Sequence, residues 1–199
     1  MIDSVSIPEG RRGPWAVKRF AVTAQQSAFA SLRAAINGGR GAVPAGKYTQ
    51  LVHDRRGLVM SDTPDEKRDH YEAVYRAKGH VLINGLGLGM VLTAILKKPD
   101  VSRVTIVEID EDVIGLVGSH FSDERLTIVH DSAFLYQPPK GERFGAVWHD
   151  IWDNICTDNL PEMTRLKRRY GRRADWQGCW CEAQCRREMK SWHRGAWRW

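Results

Sequence analysis

Four short apolar stretches recur through the middle of the chain, and each closes on a polar residue: Val81–Ile83 on Asn84, Val104–Val107 on Glu108, Leu126–Val129 on His130 and Asp131, and Phe144–Trp148 on His149 and Asp150. Stretches of this length without strict alternation suit strands buried on both faces, as in a parallel sheet. A helix over Met90–Lys98, ended by Pro99, separates the first two. Upstream, Gln50–Asp54 and Leu58–Asp62 flank Arg55-Arg56-Gly57 and predict a β-hairpin. Thr63-Pro64-Asp65-Glu66 is a helix start with a capping residue, a first-turn proline and a capping-box glutamate. That helix is expected to run to about Ala77 and stop at Gly79, turning Tyr71, Val74 and Tyr75 to one face as core packing. A further helix spans Ala24–Ile36 and ends at Asn37-Gly38-Gly39, where a glycine-rich linker with Pro44 begins. The segments expected are 1–47 (helix and linker), 48–159 (an α/β domain) and 160–199 (a tail).

Composition adds a size limit. With 199 residues and 42% hydrophobic content, one compact α/β domain with appendages is expected. The longest apolar stretch, Val81 to Leu96, is interrupted by Asn84 and three glycines, so no membrane span is expected. Asp3 and Glu9 stand where a secretory signal would need an apolar segment, which points to a cytoplasmic protein. The net charge of +6 belongs to the tail: Leu160–Trp199 holds eleven Lys and Arg against four Asp and Glu. The tail also holds five of the eight tryptophans, at 176, 180, 192, 197 and 199, interleaved with arginines such as Arg172, Arg173, Arg186 and Arg198. Such a pattern suits nucleic-acid binding, and it equally suits a helical tail that packs its Trp on the domain and solvates its Arg. Cys156, Cys179, Cys181 and Cys185 do not have the Cys-x2-Cys spacing of a zinc site, so no metal is assigned.

Candidate chemistry gathers at the strand ends. Gly85-x-Gly87-x-Gly89 follows the first strand, and Glu108 ends the second. A carboxylate there can accept hydrogen bonds from both ribose hydroxyls. A pyrophosphate fingerprint needs its third glycine at position 90, which is Met90. The spacing therefore favours a nucleoside without phosphate, with S-adenosylmethionine (SAM) as the leading candidate. In an open α/β sheet, Asp131 and Asp150 would converge on the same loop; the alternative is that each merely caps the next stretch of chain.

The order of glycine loop, Val107-Glu108-Ile109-Asp110, His130-Asp131-Ser132-Ala133-Phe134 and Phe144-Gly-Ala-Val-Trp-His-Asp150-Ile-Trp-Asp153 resembles the class I SAM-dependent methyltransferase fold, and within it the spermidine synthase family. The resemblance runs from about Leu51 to Asn154 and implies an α/β, Rossmann-like sheet with an N-terminal β-hairpin and a helical, basic C-terminal tail. It implies that Asn84, Gly85, Leu86, Gly87 and Gly89 surround the methionine part. It places Glu108 and Ile109 at the ribose, and Asp131 with Ser132 or Ala133 at the adenine. Asp150 corresponds to the catalytic aspartate that takes a proton from an attacking amine, with Asp153 and Tyr71 nearby as further catalytic candidates. His70-Tyr71-Glu72 matches the family's Tyr-His-Glu helix with the first two residues transposed. The loop lacks the Gly-Gly-Gly-Asp-Gly sequence of aminopropyl transferases, and 45 residues follow Asn154 where the family continues further. The expectation is a SAM-dependent methyltransferase with a small-molecule acceptor. The alternatives are aminopropyl transfer from decarboxylated SAM, a non-catalytic SAM-binding module, and a nucleic-acid methyltransferase; a homo-oligomer is compatible with each.

Overall fold

The computed structural model describes residues 2–36 and 42–195. Residues 37–41 of the predicted linker, with Trp197, Arg198 and Trp199, lie outside them, as do the side chains of Trp192 and His193. The elements are β1 (Gly10–Arg12), β2 (Trp15–Val22), α1 (Ala24–Ile36), β3 (Gly46–His53), β4 (Gly57–Ser61), α2 (Pro64–Asp69), α3 (Tyr71–Arg76), β5 (Gly79–Asn84), α4 (Met90–Leu96), β6 (Val101–Glu108), α5 (Glu111–Leu116), β7 (Leu126–His130), β8 (Ala146–His149), α6 (Leu160–Tyr170), β9 (Gln177–Cys179) and α7 (Glu182–Gly195).

Five strands form a parallel sheet in the order β7-β6-β5-β8-β9. Alternation along the strands feeds two cores. Val81, Ile83, Val104, Ile106, Ala146 and Trp148 pack toward α3, α4 and α5, whereas Leu82, Val107 and Val147 pack against Phe144, Leu166 and Tyr170. Both faces are thus covered, which is why these strands lack polar alternation.

The expected hairpin is β3–β4, and it belongs to a four-stranded antiparallel sheet, β1-β2-β3-β4. The hydropathy pattern did not predict β1 and β2. β1 is Gly-Arg-Arg at an edge, and β2 buries three consecutive residues, Trp15 to Val17, before it turns polar, so neither shows a period of two.

The helix predicted over Pro64–Ala77 is broken at His70, which joins α2 to α3. Thr63 makes no side-chain cap. Glu66 instead accepts hydrogen bonds from the Ser61 N–H (2.8 Å) and the Ser61 hydroxyl (2.7 Å). The break changes which side chains point inward: His70, Ala73 and Ala77 are buried, and Tyr71 and Tyr75 are 49% and 80% exposed. Core packing by those two tyrosines is therefore corrected, because inward spacing is set from His70 at three and four residues.

In the C-terminal segment, β9 lies between two helices as an edge strand beside β8, a strand the pattern did not predict from Gln-Gly-Cys. Trp176 holds it there, stacked on Trp148 with ring centroids 6.2 Å apart. Among the described residues no helix is long and apolar enough to cross a membrane.

Candidate active site

A cavity of about 460 Å³ opens at the carboxyl ends of β5, β6, β7 and β8 and is roofed by the β3–β4 hairpin and α2. Gly85 leaves β5 with φ +98° and donates its N–H to the Val107 carbonyl (2.8 Å). A Cβ at this position would lie 2.0 Å from the Asp150 carbonyl oxygen, so only glycine lets the β5 and β8 loops meet. Gly87, at φ +52°, faces Met60 of the hairpin; a Cβ there would lie 2.3 Å from its sulfur, which accepts the Leu88 N–H at 3.0 Å. The glycines are thus required first by contacts within the protein, and the cavity opens beside them.

Glu108 is buried at the end of β6 and accepts from two backbone N–H groups, Leu86 (2.8 Å) and Asp110 (2.9 Å). Burial outweighs those bonds and raises its carboxyl above the usual range. Asp110 caps α5 and accepts the Trp15 indole N–H at 2.7 Å, which fixes Trp15 in the wall. Ile109, Ser132, Ala133 and Phe134 continue the lining toward β7. Asp131 is not among the lining residues, and its carboxylate accepts the Ser132 N–H at 2.7 Å.

The opposite end is acidic. Glu66, Asp69, Asp150 and Asp153 line it with Ile151, Trp152 and Trp180, and Arg56 is its one strongly basic residue among those described. Burial, reinforced by the charges of Glu66, Glu108 and Asp69, pushes the Asp150 carboxyl up to about 8. His70 Nε2 lies 3.8 Å from the Asp150 carboxylate, and burial holds the imidazole down to about 4. At neutral pH the contact therefore joins two mostly uncharged groups rather than an ion pair. His70 Nδ1 is buried with no hydrogen-bond partner among the described residues.

Of the residues expected from sequence, Gly85, Gly87, Glu108, Ile109, Ser132, Ala133, Asp150 and Asp153 line the cavity. Asn84, Leu86, Gly89, Asp131 and Tyr71 do not. Asn84 is buried below the loop against His149 Nδ1 (2.7 Å). Tyr71 points outward, and its place in the wall is taken by His70. Sequence reasoning missed Trp15, Glu66, Asp69, His70 and Trp180. A signal existed for His70, whose neighbours match a family helix, and for Glu66, whose acidic side chain stands just upstream; Trp15 and Trp180 come from segments remote in sequence.

A Rossmann-like parallel sheet whose glycine loop and strand-end carboxylates share one cavity is the arrangement in which open α/β sheets bind ligands at the carboxyl ends of their strands. In sequence the chain is similar to a polyamine aminopropyltransferase from Prochlorococcus marinus subsp. pastoris, with 32% identity over 119 residues that span 52% of this chain and 42% of the relative. It is also similar to putrescine N-methyltransferase 2 from Nicotiana attenuata, with 28% identity over 116 residues, 54% of this chain and 27% of the relative. The match thus spans less than half the length of either. No family model matches. Among solved structures, the spermidine synthase from Thermotoga maritima aligns at 21% identity over 51% of this chain and 42% of its own, with a TM-score of 0.36. A putative methylase from Haemophilus influenzae aligns at 20% identity over 52% and 62%, with a TM-score of 0.39.

Proposed function

We propose that the protein is a SAM-dependent methyltransferase acting on a small amine. The observation that carries this is the acidic end of the cavity, where four carboxylates meet the indoles of Trp152 and Trp180. Sulfonium donor and ammonium acceptor are both cations, and carboxylates beside indole faces, with Glu66 and Asp150 withdrawn from water and Asp153 already paired with Arg56, favour cations. The relatives' names, a polyamine and a putrescine enzyme, support the same acceptor class.

When bound, SAM supplies an electrophilic methyl group on a cationic sulfur. Glu108, held by two N–H groups, keeps lone pairs for a ribose diol, and Ser132 to Phe134 back the base. The walls hold the amine in line and exclude water, which is most of what methyl transfer asks of a protein. An attacking amine must shed a proton. A bound cationic donor and acceptor would favour the ionised form of Asp150, and a carboxylate whose acid titrates near 8 is a stronger base than an ordinary one, so Asp150 is the group that would take that proton.

Methyl transfer is preferred because the glycine loop carries Leu86 and Leu88 and no acid that would repel the donor's carboxylate. Aminopropyl transfer is the second reading, supported by the identity to an aminopropyltransferase. The basic tail argues less for nucleic acid, since Arg165, Arg169 and Arg173 contact the protein itself.

The test is titration with SAM, decarboxylated SAM and methylthioadenosine, followed by an amine panel whose products are identified by mass. Preferential binding of SAM and methylated diamine are expected, both weakened in Glu108→Ala. Aminopropylated product would favour the second reading, SAM binding without any transfer would favour a binding module, and binding of none of the three would sink the donor site.

A further inference from the structure

Three arginines four residues apart, Arg165 and Arg169 on α6 and Arg173 just beyond it, lie along the segment that follows β7. The Arg165 guanidinium stands 4.9 Å from the Phe134 ring centre. One Arg169 nitrogen donates to the carbonyls of Leu135 (2.9 Å) and Tyr136 (2.5 Å). Arg173 donates to the carbonyls of Pro139 (3.0 Å) and Glu142 (3.3 Å). Next to Arg169, the Tyr170 hydroxyl donates to the Ala133 carbonyl at 3.1 Å. The clamped segment has little regular structure of its own, yet Ser132, Ala133 and Phe134 at its start form the far wall of the cavity. Arg169 is only partly exposed, and its Nε is buried without a partner among the described residues, so the guanidinium is enclosed between helix and segment rather than solvated.

We propose that Arg169 is a positioning residue for the donor's base: by fixing the Leu135 and Tyr136 carbonyls it holds Ser132–Phe134 in the shape that distinguishes a 6-aminopurine from a 6-oxopurine. This rests on the donor site assigned above. Both bonds leave one guanidinium nitrogen whose position is fixed by the rigid planar group, whereas a lysine ammonium keeps the charge as a compact point on a flexible stem. A loop held by charge-assisted hydrogen bonds presents one set of backbone donors and acceptors; once released, it samples several and discriminates less.

The experiment is calorimetric titration of the full chain and of its Arg169→Lys and Arg169→Ala variants with methylthioadenosine and methylthioinosine, alongside thermal melts. The parent is expected to prefer methylthioadenosine. Arg169→Ala should bind it roughly tenfold more weakly, because the loop then holds its binding-competent shape only about a tenth of the time, and should show a reduced preference between the two bases, with Arg169→Lys intermediate. A purely structural role would lower the melting temperature and leave the preference unchanged, and that result in either folded variant overturns the proposal. If Arg169→Ala does not fold, Arg169→Lys decides by the same criterion. Failure of the parent to bind either ligand overturns the donor site itself, a different outcome from binding with selectivity that ignores Arg169.

Discussion

At the residue scale, Asp150 and the glycines carry the sharpest expectations. Asp150 titrates near 3.8 when unfolded and is pushed up to about 8 in the fold. Its raised value contributes stability that is present below about pH 4 and lost as pH rises through 8. Asp150→Asn, which mimics the neutral acid, should therefore melt higher than the parent at pH 8 and above while losing transfer activity. A lower melting point there would contradict the assigned burial. Gly87→Ala and Gly85→Ala should each cost about 1–3 kcal/mol from positive φ and overlap. Met60→Ala should restore part of the loss in Gly87→Ala, because that obstacle is a flexible side chain. It should do nothing for Gly85→Ala, whose obstacle is backbone; denaturant midpoints of the four variants compare the two cases. The glycine pattern was legible in sequence because close approach leaves that mark whatever closes in. That the close neighbours are Met60 and the Asp150 carbonyl was not.

At the element scale, two features decide the site: the break at His70 and strand β9. A continuous α2–α3 helix would present Tyr71 where the sequence placed it; the break brings His70 into the wall instead. β9 is short, and its hold on β8 depends on the ring stack above Gly178. A Cβ at Gly178 would lie 2.8 Å from the Trp176 ring and 2.9 Å from that of Trp148. Gly178→Ala should therefore loosen β9, cost about 1–3 kcal/mol and speed amide exchange at Trp180, whose N–H donates to the His149 carbonyl. Unchanged exchange there would mean that the stack does not anchor the strand. Since Trp180 lines the acidic end, the same variant should weaken amine binding more than binding of methylthioadenosine.

For the whole molecule, buried histidines govern the acid limit. Burial holds His70, His80 and His149 each down to about 4, against 6.5 when unfolded. Unfolding between those values takes up protons, so stability falls as pH drops from about 6.5 toward 4. Asp150, Glu66 and Glu108 work in the opposite direction, because burial raises their carboxyls. Removing one of the opposing groups in Asp150→Asn should make the acid loss steeper than in the parent, as thermal melts from pH 7 to pH 4.5 would record. An equal or shallower slope would show that Asp150 is not raised in the fold.

Taken alone, the sequence determined the parallel strands β5, β6, β7 and β8, the β3–β4 hairpin, and the placing of Gly85, Glu108 and Asp150 at strand ends. Those features depend on local patterns: runs buried on two faces, glycines where a strand turns, and carboxylates at or one residue past a strand's end. Only the tertiary structure decided that Trp15 and Trp180, 165 positions apart in the chain, face one cavity with Glu66, Asp69 and His70. It also decided that the arginines nearest α6 clamp a loop. Such choices depend on which segments pack together, and packing joins residues through space where hydropathy along the chain has no period to record it.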